Sequence, residues 1–231
     1  MTARRYDYLL SALPGLDTFG ANPPMSKQDL LDRLSEAEGP VQTVQVLLLM
    51  DDLVQREAIM SGELPADQAG FSVLSEVDAD NIPVLPAYLL PESGSENQDT
   101  ARLNVDAIWR TFFMHAWATA QRSGSPFLKA WVKFEVGLRN ALAATRAHAL
   151  ELDPLAYQVT PELADSSADF ASALAAWSSA LDPLSALEAL DKARWEWMED
   201  NSKWYSFQAQ ELEAYAAKLV LLHRWRRLQT D

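Results

Sequence analysis

The chain of 231 residues contains no cysteine. This absence excludes disulfide bonds, cysteine-ligated zinc, iron–sulfur clusters and thiol catalysis. It agrees with a cytoplasmic protein, but it does not by itself separate cytoplasmic from exported proteins.

Long apolar runs are also missing. Strictly apolar stretches such as residues 46–50 fall far short of the roughly 20 residues that a membrane span needs. At the N-terminus, the apolar residues after Arg4 and Arg5 are interrupted by Asp7 and stopped by Pro14, which is too short and too polar for a signal peptide. We therefore expect a soluble cytoplasmic protein without direct membrane insertion.

Basic residues are scarce, with 19 Lys and Arg against 33 Asp and Glu, for a net charge of −14. Such an excess of negative charge disfavours binding to nucleic acid or to an anionic membrane. The charge is unevenly distributed. Residues 61–100 hold eight acidic residues and no Lys or Arg, whereas residues 125–231 carry a net charge of only −4. We interpret residues 61–100 as a candidate contact for a basic partner.

Glycine is scarce too, at 8 residues, while alanine and leucine are abundant, which favours helix. The sequence predicts an all-α protein, a single helical domain over residues 1–231 built as a bundle of long antiparallel helices. Within it, residues 61–100 contain four prolines and two short apolar runs, at 71–74 and 84–90. We predict an irregular acidic segment that a few apolar side chains attach to the core.

Helix signals are strongest in residues 101–231, which form the main aromatic bundle. Ser26, Ser125 and Asp182 stand where N-caps are expected, and Pro126 and Pro183 follow two of them. Further helices are predicted from about residue 41, from Asp99, from Pro161 and from Ser202. All eight tryptophans lie between residues 109 and 225 at helical spacing, which favours core packing over a ligand pocket.

Motifs for catalysis or cofactor binding are lacking: the sequence has no GxGxxG, Walker-type, GxSxG or HExxH motif. The three histidines, His115, His148 and His223, fall on different predicted helices, so we interpret them as surface or core-edge residues rather than metal ligands. The acidic group Glu76, Asp78 and Asp80 lacks the glycine and the distal glutamate of an EF-hand loop.

Asp51 and Asp52, with Glu57 beyond them, form a candidate carboxylate cluster. Adjacent helical positions point about 100° apart, so the two aspartates do not converge by themselves. We favour a solvated helix face with Arg56 nearby. The competing hypothesis is an enzyme that uses Asp51, Asp52 or Glu135.

A polar stripe follows the longest predicted helix, where Glu135, Arg139 and Arg146 recur along one face beside the aromatic seam. Glu135 and Arg139 are four residues apart in the favourable order for an intrahelical ion pair. We favour that pair, which is worth a few tenths of a kcal/mol. The alternative is a polar clamp that fixes this helix to another.

Two stretches together carry a family resemblance over about a fifth of the chain. They are residues 6–26, YDYLLSALPGLDTFGANPPMS, followed by Leu30 and Leu31, and residues 127–150, FLKAWVKFEVGLRNALAATRAHAL. They resemble a bacterial family of unknown function associated with V/A-type ATPases, which is similar to the C (d-type) subunit of those machines.

This resemblance implies an all-helical protein without enzymatic activity, whose relatives cap the membrane rotor ring and seat the central stalk in it. It implies protein partners among the central-stalk and rotor-ring subunits, a place at the membrane only through that complex, and no cofactor. It supplies no catalytic, cofactor-binding or metal-binding residues. The alternative function that we keep open is a helical protein that binds a small apolar ligand in a Trp-lined pocket.

Overall fold

The computed structural model describes residues 6–78, 81–90, 105–165 and 167–229. Within these ranges the chain forms eight α-helices and no strand, with one isolated antiparallel bridge between Val77 and Pro83. The all-α prediction is confirmed. The helices are α1 Asp7–Ala12, α2 Lys27–Glu36, α3 Val41–Ser61, α4 Val105–Ser123, α5 Pro126–Ala149, α6 Ala171–Ser178, α7 Pro183–Asn201 and α8 Ala209–Leu228.

Side-chain caps start three of these helices, as predicted. The hydroxyl of Ser26 accepts a hydrogen bond from the Asp29 N–H while the Asp29 carboxylate accepts one from the Ser26 N–H, which is a capping box. Ser125 caps α5 and Asp182 caps α7, each directly before a proline at the first helical position.

Successive long helices run antiparallel. The α4–α5 hairpin turns at Gly124, whose φ of +68° places it in the left-handed region, and Asp106 near the start of α4 pairs with Arg139 in the second half of α5. Helix α7 runs antiparallel to α5, because Glu135 pairs with Arg194 while Leu138, further along α5, clusters with the earlier Leu190.

Helices α3, α5 and α8 begin at the same end of the bundle. There the buried Glu213 of α8 accepts a hydrogen bond from the hydroxyl of Ser125 and also hydrogen-bonds the side chain of Thr43. Helices α3 and α8 therefore run in the same direction, an exception to the antiparallel prediction.

One large apolar core and one small one hold the helices together. The large core draws on α1, α2, α3, α4, α5, α7 and α8, and its largest fully buried side chains include Trp109, Phe112 and Phe113. The small core joins α5 to α7 through Phe134, Leu138 and Leu190. Among the described ranges, no helix is both long enough and apolar enough to cross a bilayer.

The acidic segment is irregular where it is described, at 61–78 and 81–90. It contains two 3-10 turns, Ala66–Gln68 and Ala87–Leu89. Leu74 and Leu89 are buried in the large core, whereas the acidic side chains of Glu63, Asp67 and Glu76 are exposed. The prediction of an irregular segment attached by apolar side chains is confirmed for these residues.

Two predicted helix starts, at Pro161 and at Ser202, were wrong. Pro161 opens only a 3-10 turn, Pro161–Leu163, and α6 starts at Ala171, where the Asp169 carboxylate accepts the Ala171 N–H. The predicted start at Asp99 lies outside the described residues.

The last helix starts at Ala209 rather than at Ser202. Tyr205 and Phe207 have φ of +62° and +56°, a conformation that cannot continue into a helix. The Glu211 carboxylate accepts both of their N–H groups, which fixes the loop before α8.

Candidate functional site

Asp51 lies at the centre of a buried group of charges between α2, α3 and α8. Its carboxylate is 2.8 Å from the ammonium of Lys27 and 2.8 Å from the guanidinium of Arg227, and it accepts a hydrogen bond of 3.0 Å from the Gln55 amide. We call Lys27, Asp51, Asp52 and Arg227 the Asp51 cluster. Within this cluster, the carboxylate of Asp51 connects α3 to both α2 and α8.

Asp52 faces the acidic segment instead. Its carboxylate accepts the backbone N–H groups of Ser72, Val73 and Leu74 at distances of 2.7 to 3.1 Å. The ammonium of Lys27 lies 3.8 Å away. The carboxylate of Asp52 therefore accepts hydrogen bonds from backbone N–H groups that lie outside any helix and so have no helical carbonyl to bind.

The prediction of a solvated face at Asp51 and Asp52 was wrong, because these side chains are only 2% and 0% exposed. Burial opposes the charge on Asp51, but Lys27 and Arg227 overcome it, so the pKa of Asp51 is held below its usual value. For Asp52, burial outweighs the backbone N–H donors and Lys27, and its pKa is raised.

A second group of charges lies between α5, α7 and α8. Arg194 pairs with Glu135 at 3.0 Å and with Asp191 at 3.0 Å, and Arg224 approaches Asp191 at 3.4 Å. We call these four residues the Arg194 cluster. Burial alone would lower the pKa of Arg194, but the two carboxylates more than offset it and the pKa is raised, so Arg194 stays charged.

The prediction of an intrahelical ion pair between Glu135 and Arg139 was wrong. The alternative, a polar clamp between helices, is confirmed. Glu135 binds Arg194 of α7, while Arg139 pairs with Asp106 and lies over the Trp109 ring at 4.6 Å. Helix α5 packs between α4 and α7, so side chains four residues apart turn to different neighbours.

Arg146 and Glu57 each contact a tryptophan side chain of another helix. Arg146 lies over the ring of Trp177 at 5.2 Å. Glu57 accepts a hydrogen bond from the indole N–H of Trp109, and burial raises the pKa of Glu57 against that bond and the charge of Arg139. These contacts connect α3 to α4 and α5 to α6.

A small cavity of about 30 Å³ lies where α3, α5, α7 and α8 meet. Trp131, Phe134 and Trp197 line it together with Asp51 and Glu135. A water molecule needs about 10–15 Å³ by this measure, whereas ligand pockets have volumes of about 300–1,000 Å³. The cavity therefore has room for two or three water molecules at most and is too small for a ligand.

A larger aromatic groove opens to solvent beside α5. It has a volume of about 570 Å³, and Trp117, Phe134, Phe170 and Trp197 line it together with Lys133. Four tryptophans, Trp109, Trp131, Trp195 and Trp225, are buried in the protein, in agreement with core packing. The alternative function of a Trp-lined ligand site stays a prediction, and this groove is its location.

The three histidines lie on three different helices. His115 stacks on Tyr88, His148 is exposed in the last turn of α5, and His223 hydrogen-bonds the carbonyl of Met25 at 2.8 Å. In the described parts of the chain, no three His, Asp or Glu side chains are placed to hold a metal ion. Asp78 accepts the Ile82 N–H in a turn, and Asp80 lies outside the described residues.

His223 gives a prediction about pH. Burial lowers the pKa of His223, with Lys27 and Arg227 acting in the same direction and the Met25 carbonyl and Asp51 opposing them. The unfolded chain then binds this proton more readily than the folded one, so stability falls as pH drops below about 6.5. We expect urea unfolding between pH 7.5 and 5.5 to show a smaller loss of stability for His223→Gln than for the unchanged protein.

The limit for one proton is about 1.4 kcal/mol per pH unit. His148→Gln is the matched control because His148 is exposed, and it should keep the pH dependence of the unchanged protein. Equal pH dependence in all three proteins would contradict the assignment to His223.

Comparison with known proteins gives a family but no characterised relative. A family model described as a protein of unknown function, DUF2764, matches residues 84–231. This range includes α4 to α8 and the whole Arg194 cluster. Neither the curated proteins nor the solved structures gave a significant match. The match covers more than half of the chain, and the protein therefore belongs to the DUF2764 family of unknown function.

Proposed function

We propose that this protein is a non-enzymatic structural or accessory component of a bacterial V/A-type ATPase. In this proposal it resembles the C (d-type) subunit and links the central stalk to the membrane rotor ring. It would work in the cytoplasm and reach the membrane through the complex. The resemblance of residues 6–26 and 127–150 to the ATPase-associated family is the sequence support for this proposal.

The observation that carries the proposal is how the candidate catalytic side chains are used. Asp51 pairs with Lys27 and Arg227, Asp52 accepts three backbone N–H groups, and Glu135 pairs with Arg194. A catalytic carboxylate needs access to substrate, whereas these three are at most 3% exposed. Their contacts join separate parts of the chain, which suits a protein that works through its shape.

Rigid connections between helices also suit a part that transmits force. The Asp51 cluster joins α2, α3 and α8, and the Arg194 cluster joins α5, α7 and α8. Each cluster contains two carboxylates and two cations, so its charges balance. We infer that the two clusters hold these helices in one arrangement, because separating the helices would leave the buried carboxylates of Asp51 and Glu135 without their cations.

Co-purification from the native host tests the proposal. Membranes from cells that carry a tagged copy in place of the natural gene are solubilised in mild detergent, and the captured proteins are quantified by mass spectrometry. We expect central-stalk and rotor-ring subunits of the V/A-type ATPase to be enriched over an untagged strain. Capture of the tagged protein without any ATPase subunit would contradict the proposal.

A further inference from the structure

An open pocket of about 540 Å³ lies between α3, α7 and α8. This volume falls within the range of about 300–1,000 Å³ that is typical of small-molecule sites. The pocket is lined by cations from both charge clusters and by apolar side chains, and we call it the Arg224 pocket. Its cations are Arg224 and Arg227, and its large apolar side chains are Val54, Leu64, Leu187 and Leu228.

Arg224 and Arg227 are three residues apart on α8, so they lie on the same face of the helix. Each is held by a buried carboxylate: Arg227 donates to Asp51 at 2.8 and 3.3 Å, and Arg224 donates to Asp191 at 3.4 Å. A guanidinium has five N–H donors, so each arginine keeps donors beyond those that its aspartate accepts. The side chains of Arg224 and Arg227 are 18% and 25% exposed. The pocket therefore contains two fixed cations that can still donate to a ligand.

The apolar side chains of the pocket are only partly covered by the protein. Val54 of α3, Leu64 in the segment after α3 and Leu187 of α7 are half-buried. Leu228, at the end of α8, is 38% exposed. A ligand with a hydrocarbon part would cover these side chains and remove apolar surface from water.

Acidic groups near the arginines favour a ligand with a single negative charge. Glu63 also lines the pocket and is exposed, and Asp51 and Asp191 lie against the two guanidinium groups. A dianion such as a phosphate monoester would meet more repulsion from these carboxylates than a monoanion. A carboxylate carries one charge and accepts hydrogen bonds from guanidinium groups in a defined geometry.

We propose that the Arg224 pocket binds a small carboxylate that carries an apolar chain, in the chemical class of the fatty acids. The carboxylate would accept hydrogen bonds from Arg224 and Arg227, and the chain would lie against Leu64 and Leu187. Because the arginines are already held in place by Asp51 and Asp191, little freedom is lost when the ligand binds. The inference stands apart from the proposed function, since a small-molecule site and a place in an ATPase complex can each be present without the other.

An NMR titration of the isotope-labelled protein tests the inference. The probes are octanoate, octanol and octylamine, which share a chain length and differ in the charge of the head group. We expect octanoate to shift the signals of the Ala58 backbone N–H and of the Arg224 and Arg227 side chains, and to bind at least about tenfold more tightly than octanol. The net charge of −14 favours octylamine in any non-specific binding, so tighter binding of octanoate identifies the arginines as the cause.

Two variants connect the binding to this pocket. Leu228→Glu places a carboxylate in the pocket and leaves both arginines with their aspartates, so it should weaken octanoate binding about tenfold. Leu181→Glu is the matched control, because Leu181 is 99% exposed and lies outside the pocket, and it should keep the affinity of the unchanged protein. Arg224→Gln should also weaken binding about tenfold, while Asp191 keeps Arg194 at 3.0 Å.

Four results would each overturn the inference. They are octanol or octylamine binding as tightly as octanoate, shifts confined to the aromatic groove beside α5, unchanged affinity in a folded Leu228→Glu variant, and the absence of a saturable shift at millimolar octanoate. If Arg224→Gln does not fold, the comparison between Leu228→Glu and Leu181→Glu decides the outcome.

Discussion

Replacing Asp51 by Asn is expected to lower the free energy of unfolding by about 3–5 kcal/mol. The substitution keeps the size of the side chain but removes the negative charge that faces Lys27 and Arg227. Lys27 is only 7% exposed, so water does not replace the lost partner. Asp52, 3.8 Å from Lys27, compensates in part. Urea unfolding followed by tryptophan fluorescence measures the change.

Asp32→Asn is the matched control for this substitution. Asp32 lies on the exposed face of α2 and accepts a hydrogen bond from Gln28, so its replacement should change stability by less than about 0.5 kcal/mol. A loss below about 1 kcal/mol for Asp51→Asn would contradict the assignment of Asp51 as the charge that holds α2, α3 and α8 together.

Replacing Arg194 by Met is expected to cost about 3 kcal/mol. The change leaves Glu135, which is 3% exposed, without its cation and leaves Asp191 with Arg224 alone. In a Glu135→Leu background the same change should cost at least 1.5 kcal/mol less, a difference typical of residues in direct contact, with values of about 0.5–3 kcal/mol. Urea unfolding of the four proteins of this cycle gives both numbers.

Lys192→Met is the control for Arg194→Met. Lys192 lies on the same helix and pairs with Glu188 at 2.7 Å, but both side chains are exposed, so the loss should stay below about 0.5 kcal/mol. Strictly additive effects of the Glu135 and Arg194 substitutions would contradict the clamp between α5 and α7.

The parts of the fold that depend on residues close together in the sequence could be predicted from the sequence. The caps at Ser26, Ser125 and Asp182 each involve residues three positions apart, and the helical spacing of the apolar residues indicated the helices that follow. The start of α8 was missed because it depends on Glu211, whose carboxylate binds the preceding loop. A sequence pattern does not show that a glutamate inside a helix turns back to hold the chain before it.

The candidate site was harder to predict, since its partners are distant along the chain. Lys27 and Arg227 are separated from Asp51 by 24 and 176 residues, and no pattern in the sequence links them. One signal was available. The apolar residues of α3 do not form a single stripe, and a helix with apolar residues on all sides is expected to be buried all round. On that basis Asp51 and Asp52 could have been placed inside the protein.

The same limit explains the error at Glu135 and Arg139. Their spacing of four residues fits an ion pair on an isolated helix. In the folded protein α5 has α4 on one side and α7 on the other, and each charge has a closer partner across an interface. Spacing within one helix cannot rank those partners against each other.

Our central proposal is that this protein would serve a V/A-type ATPase through contacts and not through chemistry of its own. ATP-driven ion pumping by membrane vesicles tests it most directly, in a host strain that lacks the natural gene and carries Glu135→Gln, which removes the carboxylate but keeps a side chain of the same size facing Arg194. We expect the deletion to reduce pumping and the folded Glu135→Gln variant to restore it to the level of the unchanged protein. Pumping that is unaffected by the deletion, or a folded Glu135→Gln variant that fails to restore it, would contradict the proposal.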